Sequence, residues 1–325
     1  MIQPFVLKKN YPVEVGSGKI SVTTRVWQIL KASALGDTAT VKSMVEEEPP
    51  LAYAQYNYMP PVHLAVREGH NALVGFLLER GAYDPTYRSY PFLESLPVLA
   101  AERGHYQIAE QLLAFDKDQA AFKGDNGSIH IPRTPLQQSF EQAVDKEDLA
   151  QTRIILQDHP EFALDETYFW GEGILAMPAK EANFELIDLL MEHGATVTRV
   201  LKWAPQYHFE RYDGAAYMLG KGMDPDTMSI HHVTILHNMA QKGDIKKAGL
   251  LLRHGAFINA VDEEYRSTPL GFAARWGHTE MVQFLLSKGA DHSMAGATWA
   301  TPLAWAKSKA HENIIALLIA AGAQV

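Results

Sequence analysis

The chain has 325 residues, 47% of them apolar and 21% charged, an ordinary globular composition that excludes a disordered polypeptide. Its 29 basic against 38 acidic residues give a net charge of −9, so a sequence-independent grip on a phosphate backbone has no electrostatic basis and no nucleic acid partner is expected. The longest apolar run, Ile314 to Ala321, is eight residues, less than half of what a membrane-spanning helix needs, so no membrane partner is expected either.

There is no cysteine, which removes disulfides, thiolate zinc sites, iron–sulfur clusters and cysteine nucleophiles together. A metal would need His and carboxylate ligands, and neither metal nor cofactor is expected. In chain order, residues 1–24 read as an N-terminal extension. Its opening, MIQPFVLKKNYPVEVGSGKIS, places two lysines after the only short apolar stretch and lacks a continuous apolar core, so it does not read as a secretory leader and a cytoplasmic location is expected. GSGKIS at Gly16 stops short of the phosphate-binding glycine patterns and reads as a turn.

From about Arg25 onward the sequence repeats itself. PPVHLAVREGHNALVGFLLERGAY (Pro60 to Tyr83), VTILHNMAQKGDIKKAGLLLRHGAF (Val233 to Phe257) and STPLGFAARWGHTEMVQFLLSKGAD (Ser267 to Asp291) share residues at fixed offsets. With the glycine of the Gly-His turn as a ruler, equivalent positions fall at Gly36, Gly69, Gly104, Glu147, Ala182, Glu210, Gly243, Gly277 and Ala310. The spacings are 33, 35, 43, 35, 28, 33, 34 and 33. Residues 134–165 and 200–228, around Glu147 and Glu210, are degenerate and are expected to be the weak links. Residues 116–133 (DKDQAAFKGDNGSIHIPR) lack helical periodicity and read as a surface-loop insertion, within which Asn126-Gly127-Ser128 is a formal sequon.

The clearest unit predicts two short helices. Thr268 is the N-cap and Pro269 the first-turn proline of one helix, whose apolar face is Leu270, Ala273 and Ala274, ending at Gly277. Met281, Val282, Leu285 and Leu286 form the stripe of the second, which Gly289 ends. Neither helix buries its stripe alone, so neighbouring units must stack.

The period, the T-P-L-H-like helix start, the Gly-His turn and the closing Gly-Ala together resemble the ankyrin repeat. The resemblance implies an all-α solenoid of about nine helix-turn-helix units over residues 25–325, with short β-turn fingers beside a concave groove. It also implies that His63 and His237, the Gly-His histidines 70, 105, 278 and 311, and His193 and His254 are structural. The groove floor would carry Arg67, Glu68, Glu102, Arg103, Lys180, Glu181, His208, Phe209, Gln241, Lys242, Arg275 and Trp276.

The residues that the repeat does not demand are the candidates for function. The inter-repeat segments are loaded with aromatics, including Tyr58, Tyr90, Trp170, Tyr265 and Trp299, and Trp170 lies beside Glu172. The densest polar cluster spans two neighbouring fingers: Asp224, Asp226, His231 and His232, then Asp262, Glu263, Glu264, Tyr265 and Arg266. Stacking should bring these fingers together, with His208, Trp276 and Trp299 nearby. Exposed at the surface, the set suits a partner protein or peptide. The alternative is an enzyme or a receptor for a carbohydrate or other small polar ligand, with Asp262 or Glu264 as base and His231 or His232 as acid, as in a glycan hydrolase or lyase. Exposed finger residues should leave melting nearly unchanged when replaced. Ala316, Ala320 and Ala321, on the outer face of the last helix, suggest a homo-oligomer through the C-terminal repeat.

Overall fold

The computed structural model describes residues 1–15, 18–121 and 127–324. Gly16 and Ser17 of the GSGKIS turn, and Asn126 of the sequon, lie outside the described residues. Among the described residues no helix is long and apolar enough to cross a membrane. The chain groups into two compact units, residues 5–132 and residues 133–325 together with Met1–Pro4.

The fold is all-α, built of stacked helix pairs, and local chemistry sets where each helix begins. Four first helices start at a threonine whose hydroxyl accepts a backbone N–H from the first turn: Thr134, Thr234, Thr268 and Thr301. Four second helices start at Asp37, Asp148, Asn183 and Asp244, whose side chains do the same. In the clearest pair, Pro269–Arg275 and Thr279–Ser287, the expected cap and first-turn proline are in place; Leu270, Ala273, Ala274, Met281, Val282 and Leu285 are buried, whereas Gln283, Ser287 and Lys288 face solvent.

The turn between the two helices needs a residue in the left-handed conformation, and eight of the nine ruler positions adopt it: Gly36, Gly69, Gly104, Glu147, Ala182, Gly243, Gly277 and Ala310. Glycine is there for a second reason. A Cβ on Gly36, Gly69, Gly243 or Gly277 would stand 2.6 to 2.9 Å from the imidazole of the next repeat, namely His70, His105, His278 or His311. Each ring also hydrogen-bonds back to a carbonyl of the previous first helix, as His70 Nε2 does to Ala34 O at 3.0 Å and His278 Nε2 to Gln241 O at 2.6 Å. The corresponding residue of the repeat after Glu147 is Asn183, after Ala182 it is Arg211, and after Glu210 it is Asp244. With no imidazole overhead, the glycine is dispensable. Degeneracy at Glu147 therefore does not shorten its helices, Pro135–Asp145 and Leu149–Asp158, the first of which opens on a full capping box. The pair around Glu210 does depart: its first helix is a single turn, Ala204–Tyr207, and Glu210 is not left-handed.

The unit of residues 5–132 also carries a small antiparallel sheet, which the sequence did not suggest. Strands β1 (Pro12–Val15), β2 (Lys19–Val22) and β3 (Ser128–Ile129) lie in the order β2-β1-β3, so part of the N-terminal extension pairs with the end of the loop insertion. Val13 and Val15 turn inward, giving the period-two burial of a half-covered strand. In the other unit, Ala316, Ala320 and Ala321 are exposed on the last helix.

The histidine contact predicts unequal outcomes for two like substitutions. Gly243→Ala should destabilise by roughly 1–3 kcal/mol, combining left-handed strain with the clash against His278. Gly104→Ala, equally left-handed but with no atom within 4 Å of the added Cβ, should cost only about 1 kcal/mol, from strain alone. Urea denaturation of both variants checks this; equal effects would remove the steric argument.

Candidate functional site

The two fingers richest in polar residues are joined, as stacking requires. In the first, Ser229 N donates to Val233 O and His232 N to Ser229 O, closing a turn with His232 in the left-handed region. In the second, Asp262 N donates to Ser267 O, and the Asp262 carboxylate accepts from Tyr265 N at 2.7 Å and Ser267 N at 2.9 Å, with Arg266 left-handed. Glu263 N donates to His231 O at 2.9 Å across the gap.

Glu263 is the electrostatic centre of this junction. Its carboxylate meets His232 Nδ1 at 2.9 Å, His231 Nδ1 at 3.7 Å and the Met1 ammonium at 2.6 Å. Burial acts to raise its pKa, but hydrogen bonds from His231, His232 and the ammonium outweigh it and hold the group well below the usual carboxylate range.

The expectation of exposed finger side chains is corrected for the acid/base set. Asp262, Glu264 and His231 are each 1% exposed. Asp262 spends both carboxylate oxygens on the backbone of its own finger, and burial, reinforced by the nearby Glu264 charge, pushes its pKa up to about 7 against those N–H groups. It shapes the turn that carries its neighbours. Of the four proposed acid/base groups only His232 has substantial access to solvent.

The aromatic candidates divide in the same way. Tyr265, 1% exposed, packs edge-on against Phe272, Trp276 and Trp305, and Trp299 meets Trp305 at 5.7 Å. The Arg275 guanidinium sits among them, with Cζ 4.6 Å from the Tyr265 ring centre, 5.0 Å from Trp276 and 4.4 Å from Trp305. Trp276 and Trp299 keep partial exposure; Tyr265 is core. Trp305 is the member that the sequence reading missed, because it occupies an ordinary first-helix position.

His208, at the C-terminal end of the one-turn helix Ala204–Tyr207, is 1% exposed, and neither ring nitrogen has a hydrogen-bond partner. Burial pushes its pKa down to about 4, so the ring is neutral near pH 7. Glu172, 3% exposed, accepts the backbone N–H groups of Lys202 and Trp203 at the start of that same helix. Burial pushes Glu172 up to about 7, opposed by Lys202 and by those donors. Both residues serve the short helix and offer little to a ligand.

Four finger residues, two of them exposed, share a backbone feature. Tyr58, Leu93, His232 and Arg266 each precede the N-cap of a first helix by two positions, and each is left-handed. Tyr58 is 39% exposed and Leu93 69% exposed. The Tyr58 and Tyr90 rings meet at 5.2 Å. Trp170, 61% exposed, is also left-handed, in the turn before Ala176–Glu181. Leu93 was missed from the sequence; the available signal was a non-glycine residue where the turn calls for glycine. Among the described residues no group of three or more His, Asp or Glu side chains could hold a metal ion.

Comparison with known proteins points the same way as the helix pairs. Ankyrin-repeat family profiles match residues 201–296 and 236–325, and a single-repeat profile matches 57–90. The ankyrin repeat and KH domain-containing protein mask-1 of Caenorhabditis elegans is 27% identical over 287 residues, covering 86% of this chain and 10% of that protein. The human NAD-capped RNA hydrolase NUDT12 is 39% identical over 89 residues, 27% of this chain and 19% of that protein. The chain thus spans about a fifth or less of the length of these relatives. A solved ankyrin repeat domain from Acinetobacter baumannii is 21% identical, covers 57% of this chain and 98% of its own, and has a TM-score of 0.44.

Two substitutions test the burial assignments. Asp262→Ala should cost roughly 1–3 kcal/mol, since two buried N–H groups lose their acceptor. His208→Leu should change the acid limb. A histidine whose folded pKa lies below its unfolded value contributes stability that is lost as pH falls from 6.5 toward 4. Removing it should make that limb shallower, by up to about 1.4 kcal/mol per pH unit. Asp262 and Glu172, raised toward 7, act with the opposite sign, their contribution fading as pH rises. Thermal midpoints measured from pH 4 to 7 distinguish these; an unchanged acid limb in His208→Leu would contradict the assignment.

Proposed function

The chain is an ankyrin repeat protein, and from that premise we propose that it is a recognition module holding a partner protein or peptide against its finger tips and the adjacent groove floor. Ankyrin repeats generally serve protein–protein interaction. The observation that carries the reading here is the pair of exposed, left-handed tip residues in the unit of residues 5–132, Tyr58 and Leu93. A side chain in that conformation costs about 1–2 kcal/mol relative to glycine, so two exposed tips without glycine are expensive if folding alone is served. What these positions gain is an aromatic ring and an aliphatic group on rigid turns. Rigid, exposed side chains of that kind suit interface anchors, which lose little entropy on binding. The buried acid/base set supports no comparable case for catalysis, because Asp262, Glu264 and His231 are committed to the interior.

The test is to replace Tyr58 and Leu93 by glycine. The variant should melt close to the wild type, relieved strain offsetting the lost Tyr58–Tyr90 ring contact. Peptides selected by display on the wild-type chain should bind it at least about tenfold more weakly. Unchanged affinities would defeat the proposal, as would a selection that yields no binder to the wild-type chain.

A further inference from the structure

The first four residues group with the larger unit, and they are seated there in the way that a bound peptide is. Terminal residues fray unless contacts offset the entropy of ordering them. Here three separate contacts do so. The Met1 ammonium lies 2.6 Å from Glu263 Oε1, Ile2 N donates to Ile230 O at 3.0 Å, and the Met1 side chain is 5% exposed. Pro4 is buried as well.

The receiving groups are held by the two fingers themselves. Ile230 and His231 are buried, and their consecutive carbonyls take one N–H each: Ile2 N on Ile230 O, Glu263 N on His231 O at 2.9 Å. The bond that joins the fingers therefore anchors the backbone of Glu263. On its side chain, Oε1 also accepts from His232 Nδ1 at 2.9 Å, and His231 Nδ1 stands 3.7 Å from Oε2. A carboxylate held at both its backbone and its head is preorganised, so little side-chain entropy is lost when a cation docks on it.

These contacts also select what binds. A lysine ammonium reaches a carboxylate, but its own backbone N–H lies at the far end of a four-carbon stem. Here the charge on Glu263 and the N–H on Ile230 O come from adjacent residues, an arrangement that belongs to an α-ammonium. An acetylated terminus loses the cation and turns an acyl group toward the carboxylate. Burial of the first side chain adds a preference for an apolar residue there.

We propose that the junction of the two fingers, Ile230 to His232 with Glu263, is a binding site for the free amino terminus of a polypeptide whose first residue is apolar. Met1 occupies it in cis, and a partner's amino terminus competes for it. Capture of a terminal amine is a general mode of peptide recognition. The site lies in the larger unit, apart from Tyr58 and Leu93, and does not depend on them.

The probe is the tetrapeptide amide MIQP, the sequence of residues 1–4, with a free α-amine, compared with its N-acetyl form. Both are titrated into the full chain and into the full chain carrying Gly-Ser before Met1, which moves the ammonium away from Glu263. Binding is followed by the amide NMR shifts of Ile230, His232 and Glu263. The extended chain should bind the free amine at least about tenfold more tightly than the acetylated form. The chain that starts at Met1 should bind the free amine more weakly than the extended chain does, because its own terminus competes at high effective concentration. Glu263→Gln in the extended chain should remove the preference for the free amine. Equal affinities for the two peptides, a free amine that binds neither chain, or a Glu263→Gln chain that keeps the preference would overturn the site. Equal binding of the free amine to both chains would overturn its occupation by Met1. Should Glu263→Gln fail to fold, the two peptides on the extended chain decide alone.

Discussion

The structure depends on one repeated contact, the imidazole of each Gly-His turn seated on the glycine of the repeat before it. The ring fills the space that a Cβ would need and hydrogen-bonds to a carbonyl of the preceding first helix. One side chain therefore fixes the separation of two repeats and satisfies an otherwise orphaned acceptor at a helix end. Where the histidine is absent, as in the repeats that follow Glu147 and Ala182, the left-handed turn persists but glycine is released from it. Glycine and histidine thus behave as one joint motif shared by adjacent repeats, not as two independent preferences.

This explains how much of the fold was legible. Period, capping residues and apolar stripes are local and recur in the clear repeats, so those helix pairs could be read from the sequence. The repeat at Glu147 looked damaged because its ruler glycine is missing, yet the loss reflects what sits in the next repeat and leaves its own helices whole. The sheet was invisible for a different reason. Its strands are two to four residues long, and β1 finds β3 only through pairing distant in sequence, which no short window can reveal.

The candidate site was legible in its membership and misread in its exposure. The two polar fingers do meet, through Glu263 and the His231 carbonyl. Sequence cannot distinguish a carboxylate that faces water from one that turns inward to fasten its own loop, and Asp262 and Glu172 are of the second kind. Tyr265 likewise looked like a recognition ring but packs beside Arg275 in the interior. What remains outside, at Tyr58, Leu93, Trp170, His232 and Arg266, is marked by backbone conformation, a property that composition does not report.

The short sheet has a consequence for how the smaller unit comes apart. A plain repeat array is a chain of nearest-neighbour links, and it can fray from either end one repeat at a time. Here Val13 pairs with Ile129, so the first and last parts of the unit of residues 5–132 are tied to each other as well as to their neighbours in sequence. The tie turns a linear stack into a closed loop, and opening the loop at any point forfeits the long-range pairing at once. Such a unit has high contact order for a helical fold; it should fold more slowly than its helices alone would suggest and unfold as a single body.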